Sequence, residues 1–464
     1  MKKIICLWMI RESENKSNLK FQSLKITGQS FLSGEINISG AKNSALVLLA
    51  ASLLTREKVL VENIPELTDI QKMKNILKSL GVELIKEKSK LKINSKNLQA
   101  CQLPYQLVNS LRASFFCIGP LLARLGEASL ALPGGCKIGK RPIHEHIKGL
   151  RALGAKIHIK EGFVMAKINN KKKRLIGSNI VLNCPSVGAT ETLIMAATLA
   201  EGQTIIENAA REPEIQDLCQ MLNKMGAKID GAGQSKIIIN GVEQLNGCTH
   251  RVIPDRIEAG TFLIAAAATL SSITISPVIP EHLESVLNKL RESGSDLIIK
   301  NNSISIETKS IKSTNVETAP FPGFPTDLQA PFTALMAIAD GESQITETIF
   351  EKRMSHINLL NKMGASIKTE NNIAFVKGVK ELNGAKLLGL DLRSTAAIII
   401  AALTAQSEST IGGLEHLDRG YDNFESKLNI LGANIIREAS NDFFLEPKLI
   451  TKNSNSNRKD YQAA

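Results

Sequence analysis

The sequence predicts an α/β protein built from six copies of one unit of about 70 residues, with helices inside and sheets outside. Three recurrent features predict it. A helix ending of the type LxxLGA returns six times along the chain. A helix rich in Ala and Leu, apolar on nearly every face, precedes each ending. An alternating apolar stretch, legible as a hairpin, follows it.

The endings read ILKSLGVEL, GLRALGAKI, MLNKMGAKI, KLRESGSDL, LLNKMGASI and KLNILGANI. Their glycines, Gly81, Gly154, Gly226, Gly294, Gly364 and Gly432, are spaced 73, 72, 68, 70 and 68 residues apart. Glycine suits the first position past a helix, where the backbone turns left-handed and a Cβ is disfavoured. The apolar helices are NSALVLLAASLL, LRASFFCIGPLLARL, TETLIMAATLA, GTFLIAAAATL, PFTALMAIA and RSTAAIIIAALTA. With no polar face they belong in the interior, and their small side chains permit close approach. Between the two helices of a unit runs a strand such as KVLVEN, QTIIEN, SITISP or SQITET. One such unit buries its apolar face poorly alone, so the six are expected to gather into two compact domains of three.

Composition narrows the function. The chain has 464 residues, 43% of them apolar, which supplies material for two or three domain cores. Its 57 Lys and Arg against 45 Asp and Glu give a net charge of +12, suited to nucleic acid, an acidic membrane or a phosphorylated metabolite. Aromatic residues make up only 4%, too few for the stacking platforms of single-strand binders, so nucleic acid is disfavoured. The seven cysteines are scattered and contain no C-x-x-C pair, which argues against a disulfide framework or a zinc site and fits a reducing cytoplasm. No stretch reaches the roughly 20 apolar residues of a membrane span. The opening MKKIICLWMI runs straight into RESENKSNLK without a small-residue cleavage site, so it reads as an extension and not a signal peptide. The closing TKNSNSNRKDYQAA reads as a polar, disordered tail.

With the repeats aligned, two departures point to a site. In four units the strand ends, at Asn63, Asn208, Ser276 and Thr346, 18 residues before the helix-stopping glycine, whereas in the second unit Leu132 lies 22 residues before Gly154. The excess is the loop PGGCKIG, which sets Cys136 between two glycines and the cations Lys137, Lys140 and Arg141. The scaffold does not need those residues, and a thiol beside cations is suited to nucleophilic or proton-donor chemistry. The second departure is charge where apolar helices begin: Lys42 with Asn43, Arg112, Asp327, and Asp391 with Arg393. Helix N-termini attract anions, and Arg141, Arg211, Arg353 and Arg419 recur in the loops after the strands. A solvated surface explains any one of these cations. Their shared place in the repeat favours a common pocket for phosphates and carboxylates between two domains, with Asp327 as its base. No Walker loop, H-E-x-x-H, G-x-G-x-x-G after a strand or Ser-centred elbow occurs, which leaves ATP hydrolysis, zinc peptidase, hydride transfer and esterase chemistry without support. His144 and His146 read as surface or substrate-edge groups.

The motifs GEINISGAKNSAL, LRASFFCIGPLLAR, LPGGCKIGKRPI, PSVGATET, ENAAREPEI, PDRIEAGTF, FPTDLQA, FEKRMSH, LDLRSTAA and HLDRGY, spread from about Leu24 to Leu445, resemble the enolpyruvyl transferases, specifically the branch that acts on UDP-N-acetylglucosamine. The resemblance implies two inverse α/β domains of three repeats each, with substrates between them. It places one domain at residues 42–253 and the other at 23–41 plus 254–446, flanked by the extension 1–22 and the tail 447–464. It implies transfer of the enolpyruvyl group of phosphoenolpyruvate to the sugar 3-hydroxyl with release of phosphate, the first committed step of peptidoglycan precursor synthesis. No metal or organic cofactor is implied. By the same resemblance Lys42, Asn43, Arg141, Arg393 and Arg419 hold phosphoenolpyruvate, Cys136 donates a proton or forms an adduct, and Asp327 orients or deprotonates the hydroxyl. The nucleotide sugar is expected along Arg112, Arg141, Pro142, Ile143, His144, Glu145, Ser186, Val187, Gly188, Asp327 and Ile349.

His144 departs from the family, which usually carries an acidic residue there, so one nucleotide-edge contact is in question. Retention of Cys136, where some relatives have aspartate, implies sensitivity to the thiol-alkylating epoxide fosfomycin. Three rival readings stand beside this one. The sister transferase acting on shikimate 3-phosphate lacks the cysteine loop and the GAKN start. A catalytically silent nucleotide-sugar binder is disfavoured by the intact Lys42, Cys136, Asp327 and Arg419. An RNA binder would show a steep salt dependence. The sequence sets no oligomeric state.

Overall fold

The computed structural model describes residues 21–87, 90–99, 111–132, 139 and 142–440. In chain order its helices are α1 (Lys42–Ala51), α2 (Thr68–Ser79), α3 (Ile118–Leu125), α4 (His144–Ala152), α5 (Val187–Thr198), α6 (Pro213–Lys224) and α7 (Arg256–Ala268). They continue with α8 (Glu284–Glu292), α9 (Thr326–Met336), α10 (Ser355–Lys362), α11 (Leu392–Thr404), α12 (Leu414–Leu417) and α13 (Phe424–Ile430). None of the described helices is long and apolar enough to cross a membrane.

The six repeat glycines all take positive φ, from 85° at Gly81 to 107° at Gly432. At Gly81, Gly226, Gly364 and Gly432 the helix ends in a Schellman motif: the Gly226 N–H donates to Asn223 O and the Ala227 N–H to Leu222 O, both at 3.0 Å. After Gly226 the chain enters the strand Lys228–Asp230, whose Ile229 is buried between exposed neighbours, and returns through Lys236–Asn240, where Ile237 and Ile239 face the helices.

Each unit has its sheet. Five sheets are four-stranded, with one parallel and two antiparallel pairings, and the second unit's sheet has three described strands, Glu127–Ala131, Phe163–Ile168 and Ala155–Lys160. Sheets also tie distant segments together. Thr249–Arg251 runs parallel to Lys58–Glu62, and Ser33–Asn37 runs parallel to Ser272–Ser276. The sixth unit corrects the expectation of a hairpin after every glycine. Its last strand, Ile435–Ser440, pairs with Phe21–Ile26 from the far end of the chain, which lies between it and Ser409–Gly412. A segment from the start of the chain thus fills the place of a hairpin arm, and the strand takes in the last two residues of the expected extension.

Buried apolar side chains form two clusters. One runs from Ala41 to Val252; the other joins Leu24–Ile38 to Ile257–Ile435. In the second, α7, α9 and α11 contact one another; in the first, α1 and α5 lie against the helical segment 112–125. That segment also departs from expectation, since LRASFFCIGPLLARL is not one α-helix. Arg112–Cys117 is a 3-10 turn, and α3 begins only at Ile118. Pro120 has no N–H to bond the carbonyl four residues back, so an α ladder cannot run through it from Phe116.

The chain crosses between the clusters twice, side by side. The Ala41 N–H donates to Ile253 O and the Asp255 N–H to Ser39 O, both at 2.8 Å. Asp255 then joins two helix starts. Its Oδ1 accepts from the N–H groups of Ile257 (2.8 Å) and Glu258 (3.1 Å) in α7, and its Oδ2 from the Lys42 N–H of α1 (3.1 Å). A single Asp cap is worth about 1 kcal/mol, and here three N–H groups share the carboxylate. Asp255→Ala is therefore expected to cost about 2 kcal/mol, seen as a lowered urea midpoint at unchanged slope.

Candidate active site

The starts of the apolar helices bring charge together where the two clusters meet. Lys42 opens α1, Asp327 is the second residue of α9 and Arg393 the second of α11, while Arg419 lies in the loop between α12 and α13. Lys42 feels Asp69, Arg393, Asp327 and Arg419 at once. Burial lowers its pKa from the ordinary lysine value, Arg393 and Arg419 lower it further, and Asp69 and Asp327 oppose them. Asn43, beside it, is exposed.

Asp327 is clamped by two buried arginines. Arg353 Nη2 reaches Oδ1 at 2.5 Å and Arg393 Nη2 reaches Oδ2 at 2.8 Å. Burial works against its charge, but Arg393 and Arg353 hold the carboxyl well below the usual aspartate range. Arg393 also lies over the Tyr421 ring, 5.3 Å from its centroid, and Tyr421 Oη pairs with Thr261 Oγ1 at 2.9 Å.

Asp69, from the first turn of α2, is the second anion of the cluster. Arg419 Nε donates to its Oδ1 at 2.9 Å, and Lys42 Nζ stands 3.8 Å from its Oδ2. This carboxylate therefore joins a cation from each apolar cluster. The Thr68 N–H, donating to Asp418 O at 3.0 Å, reinforces the junction.

A second group gathers at the start of α5. Ser186 caps that helix, accepting from the Ala189 N–H at 3.4 Å, and Val187 and Gly188 follow. His146 lies against Gly188, where an added Cβ would meet its Nε2 at 3.1 Å, and it stacks edge-on with Phe115 at 5.3 Å. Burial, with Arg112 and His144 nearby, takes its pKa down to about 4. His146 is thus a buried neutral group and not a surface one, because α4 turns it inward beside Ile147 and Leu150. His144 remains exposed, 2.6 Å from Glu145 Oε1, while Glu145 itself is buried and accepts from Asn183 N (3.2 Å) and Asn183 Nδ2 (2.8 Å). Pro142 is exposed and Ile143 half-buried. Ile349, just after the strand Glu342–Thr346, donates its N–H to Glu347 Oε1 at 2.8 Å, four residues before Arg353.

Cys136 and Arg141 lie outside the described residues. Gly139, from the same loop, faces the opposite cluster: a Cβ on it would meet Glu351 Oε2 at 2.5 Å, beside Arg353. Among the other thiols, burial pushes Cys117 and Cys219 up to about 12, which makes them inert. Arg211 does not join the pocket expected from its repeat position. It is exposed and donates through Nε to Gly233 O at 3.2 Å.

Against known proteins, residues 26–428 match the family model of EPSP synthase (3-phosphoshikimate 1-carboxyvinyltransferase). The chain belongs to this enolpyruvyl transferase family. Within it, a Prochlorococcus marinus (strain MIT 9312) protein named UDP-N-acetylglucosamine 1-carboxyvinyltransferase is 67% identical over 446 residues, 95% of this chain and 98% of its own. A protein of the same name from strain MIT 9301 is 65% identical over 456 residues, 98% of this chain and 100% of its own. Among solved structures, the enolpyruvyl transferase NikO from Streptomyces tendae superposes with a TM-score of 0.82 at 22% identity, covering 91% of this chain and 100% of its own. EPSP synthase from Acinetobacter baumannii gives 0.71 at 20% identity, covering 90% and 100%. The last two establish the enolpyruvyl transferase fold of mixed α/β repeats.

Sequence reasoning missed two members of this charged cluster. Asp69 sits in an ordinary amphipathic helix, and only the fold brings it to Arg419. Arg256 stands in the motif PDRIEAGTF and pairs with Glu214, Nε to Oε1 at 3.2 Å, while facing Asp327. The local signal for Asp69 was a charge in the first turn of a helix, which many solvent-facing helices share, whereas Arg256 opens an apolar helix as Lys42 does and the same signal could have found it.

Proposed function

We propose that this chain transfers the enolpyruvyl group of phosphoenolpyruvate to the 3-hydroxyl of UDP-N-acetylglucosamine, releasing phosphate, and so commits the sugar to peptidoglycan precursors in the cytoplasm. The observation that carries the reading is a charged cluster in which Lys42 feels Arg393, Arg419 and Asp327 at once and Arg393 pairs with Asp327, in a chain 67% identical to a protein of that named activity.

The chemistry follows from charge. Phosphoenolpyruvate carries a phosphate and a carboxylate, and guanidinium groups with one ammonium suit both. Addition joins the sugar oxygen to C2 while C3 gains a proton; the hydroxyl proton goes to Asp327 and the C3 proton comes from Cys136. Elimination returns a proton from C3, breaks the C2–O bond to phosphate and leaves the enol ether. Fixed cations stabilise the charge that shifts onto the departing phosphate. Arg112, Ile143 and the Ser186–Gly188 turn, gathered around His146, form the nucleotide-sugar side, and Glu145 supports them by fixing Asn183. Residues 42–253 and 23–41 with 254–446 act as the two domains, and closure of the Cys136 loop excludes water.

The test is phosphate release by the purified protein, wild type beside Cys136→Ala. Release needs both substrates and collapses in the variant. Release without the nucleotide sugar, or none with it, removes the assignment. Fosfomycin is expected to inactivate the wild type, and full activity after a saturating dose would remove Cys136 from the mechanism.

A further inference from the structure

A carboxylate held by two arginines is a poor base, yet the proposed reaction asks Asp327 to take a proton. The two arginines are not equivalent. Arg353 is fixed on several sides: its Nη1 donates to Thr326 Oγ1 at 2.8 Å, and its guanidinium lies 5.3 Å from the Phe350 ring centroid. Thr326 Oγ1 donates to Glu347 Oε2 at 2.8 Å, and Glu347 Oε1 accepts from the N–H groups of Ile349 (2.8 Å) and Phe350 (3.1 Å). Glu347 is itself buried, 2% exposed. Arg393, by contrast, reaches Asp327 and Tyr421 in the pocket shared with Lys42 and Arg419.

Resting on the function proposed above, we infer that Arg353 is a positioning residue that keeps Asp327 Oδ1 throughout the cycle, whereas Arg393 holds Oδ2 only until the anionic donor draws it away. Release of Oδ2 frees one oxygen to accept the sugar hydroxyl. Donor binding then switches on the base, and deprotonation cannot run ahead of the electrophile's arrival. A donor carrying both carboxylate and phosphate competes well for Arg393 against one carboxylate oxygen. Asp327 is faced by Arg353 from the segment before α10, Arg393 from α11, Lys42 from α1, Arg256 from α7 and Tyr421 from beyond α12. Among these contacts, loss of Arg393 alone leaves Asp327 oriented but less stabilised as an anion.

The wild type gives the first test. With nucleotide sugar saturating, kcat/KM for phosphoenolpyruvate reports the enzyme before the donor binds and kcat reports it after. Corrected for the donor's own ionisation, the acidic limb of kcat is expected at higher pH than that of kcat/KM. Coincident limbs overturn the release of Arg393. The second test is Arg353→Gln. Removing an opposite charge at this distance raises a carboxyl pKa by about 1–3 units, so the acidic limb of kcat moves up by that amount while KM for the donor stays within about twofold. Arg353→Lys keeps the charge and restores the limb while losing part of kcat. An unmoved limb, or a donor KM raised tenfold with kcat intact, overturns the positioning role. If Arg353→Gln does not fold, Thr326→Val, which removes one anchor of Arg353 but keeps its charge, is read as Arg353→Lys is: part of kcat is lost with the limb in place, and an unchanged kcat overturns the positioning role. A wild type that makes product with an unmoved limb in the variant contradicts only this inference; a wild type that makes none contradicts the function.

Discussion

Asp327→Asn is expected to cut kcat about a thousandfold, the middle of the range for losing a general base. An amide has no lone pair basic enough to take the hydroxyl proton, and its one oxygen can serve only one of the two arginines. Arg353, fixed by Thr326, keeps that oxygen, and Arg393 is set free. KM for phosphoenolpyruvate therefore does not rise, because the donor no longer competes with a carboxylate for Arg393. A variant whose donor KM climbs in step with its fall in kcat would contradict this division of labour. Stability responds as well, with a definite sign. The folded protein holds the Asp327 carboxyl well below its ordinary range, so its contribution is present above about pH 4 and is lost as pH falls through the folded value. The thermal gap between wild type and variant is widest near neutrality and closes in acid.

Lys42→Met has its effect on binding. Lys42 is the cation at the start of α1, its side chain 13% exposed, with Asp69 at 3.8 Å. Losing one charge-assisted contact to a bound anion costs about 2–3 kcal/mol, and each 1.4 kcal/mol is tenfold. KM for phosphoenolpyruvate is expected to rise about a hundredfold, and KM for the nucleotide sugar to change little. In the wild type, burial and the neighbouring arginines lower the Lys42 pKa. Donor affinity is therefore expected to fall on the alkaline side earlier than an ordinary lysine would allow. Steady-state kinetics from neutral pH upward read both effects, and an equal rise in the two KM values would place Lys42 outside the donor subsite.

Much of this architecture is legible in the sequence because the repeat is punctuated by residues with a local physical cause. Gly81 through Gly432 each end a helix in the left-handed region, and the Ala-rich helices have no polar face to show to water. Local causes do not reach across the chain. The pairing of Phe21–Ile26 with Ile435–Ser440 was hidden, since nothing near Ile435 announces a partner more than four hundred residues away. The break at Pro120 was legible and overridden by the apolar pattern around it. In the site, Lys42 and Arg393 stood out because charge is unexpected at the start of an apolar helix, although Arg256, which opens α7 in the same way, was passed over. Asp69 and Glu214 did not, because acidic residues in the first turn of a surface helix are ordinary. Of the two readings of His146, the surface one fails for a related reason: a histidine in a short helix has no sequence mark that tells inward from outward.

The most direct test of the central claim is the identity of the product. The purified chain is incubated with phosphoenolpyruvate and an equimolar mixture of UDP-N-acetylglucosamine and shikimate 3-phosphate, and the acceptors are then resolved by mass spectrometry. The account predicts the enolpyruvyl ether of the nucleotide sugar in amounts equal to the phosphate released, with shikimate 3-phosphate untouched and no product from Asp327→Asn on the same timescale. An unchanged nucleotide sugar beside converted shikimate 3-phosphate would contradict it.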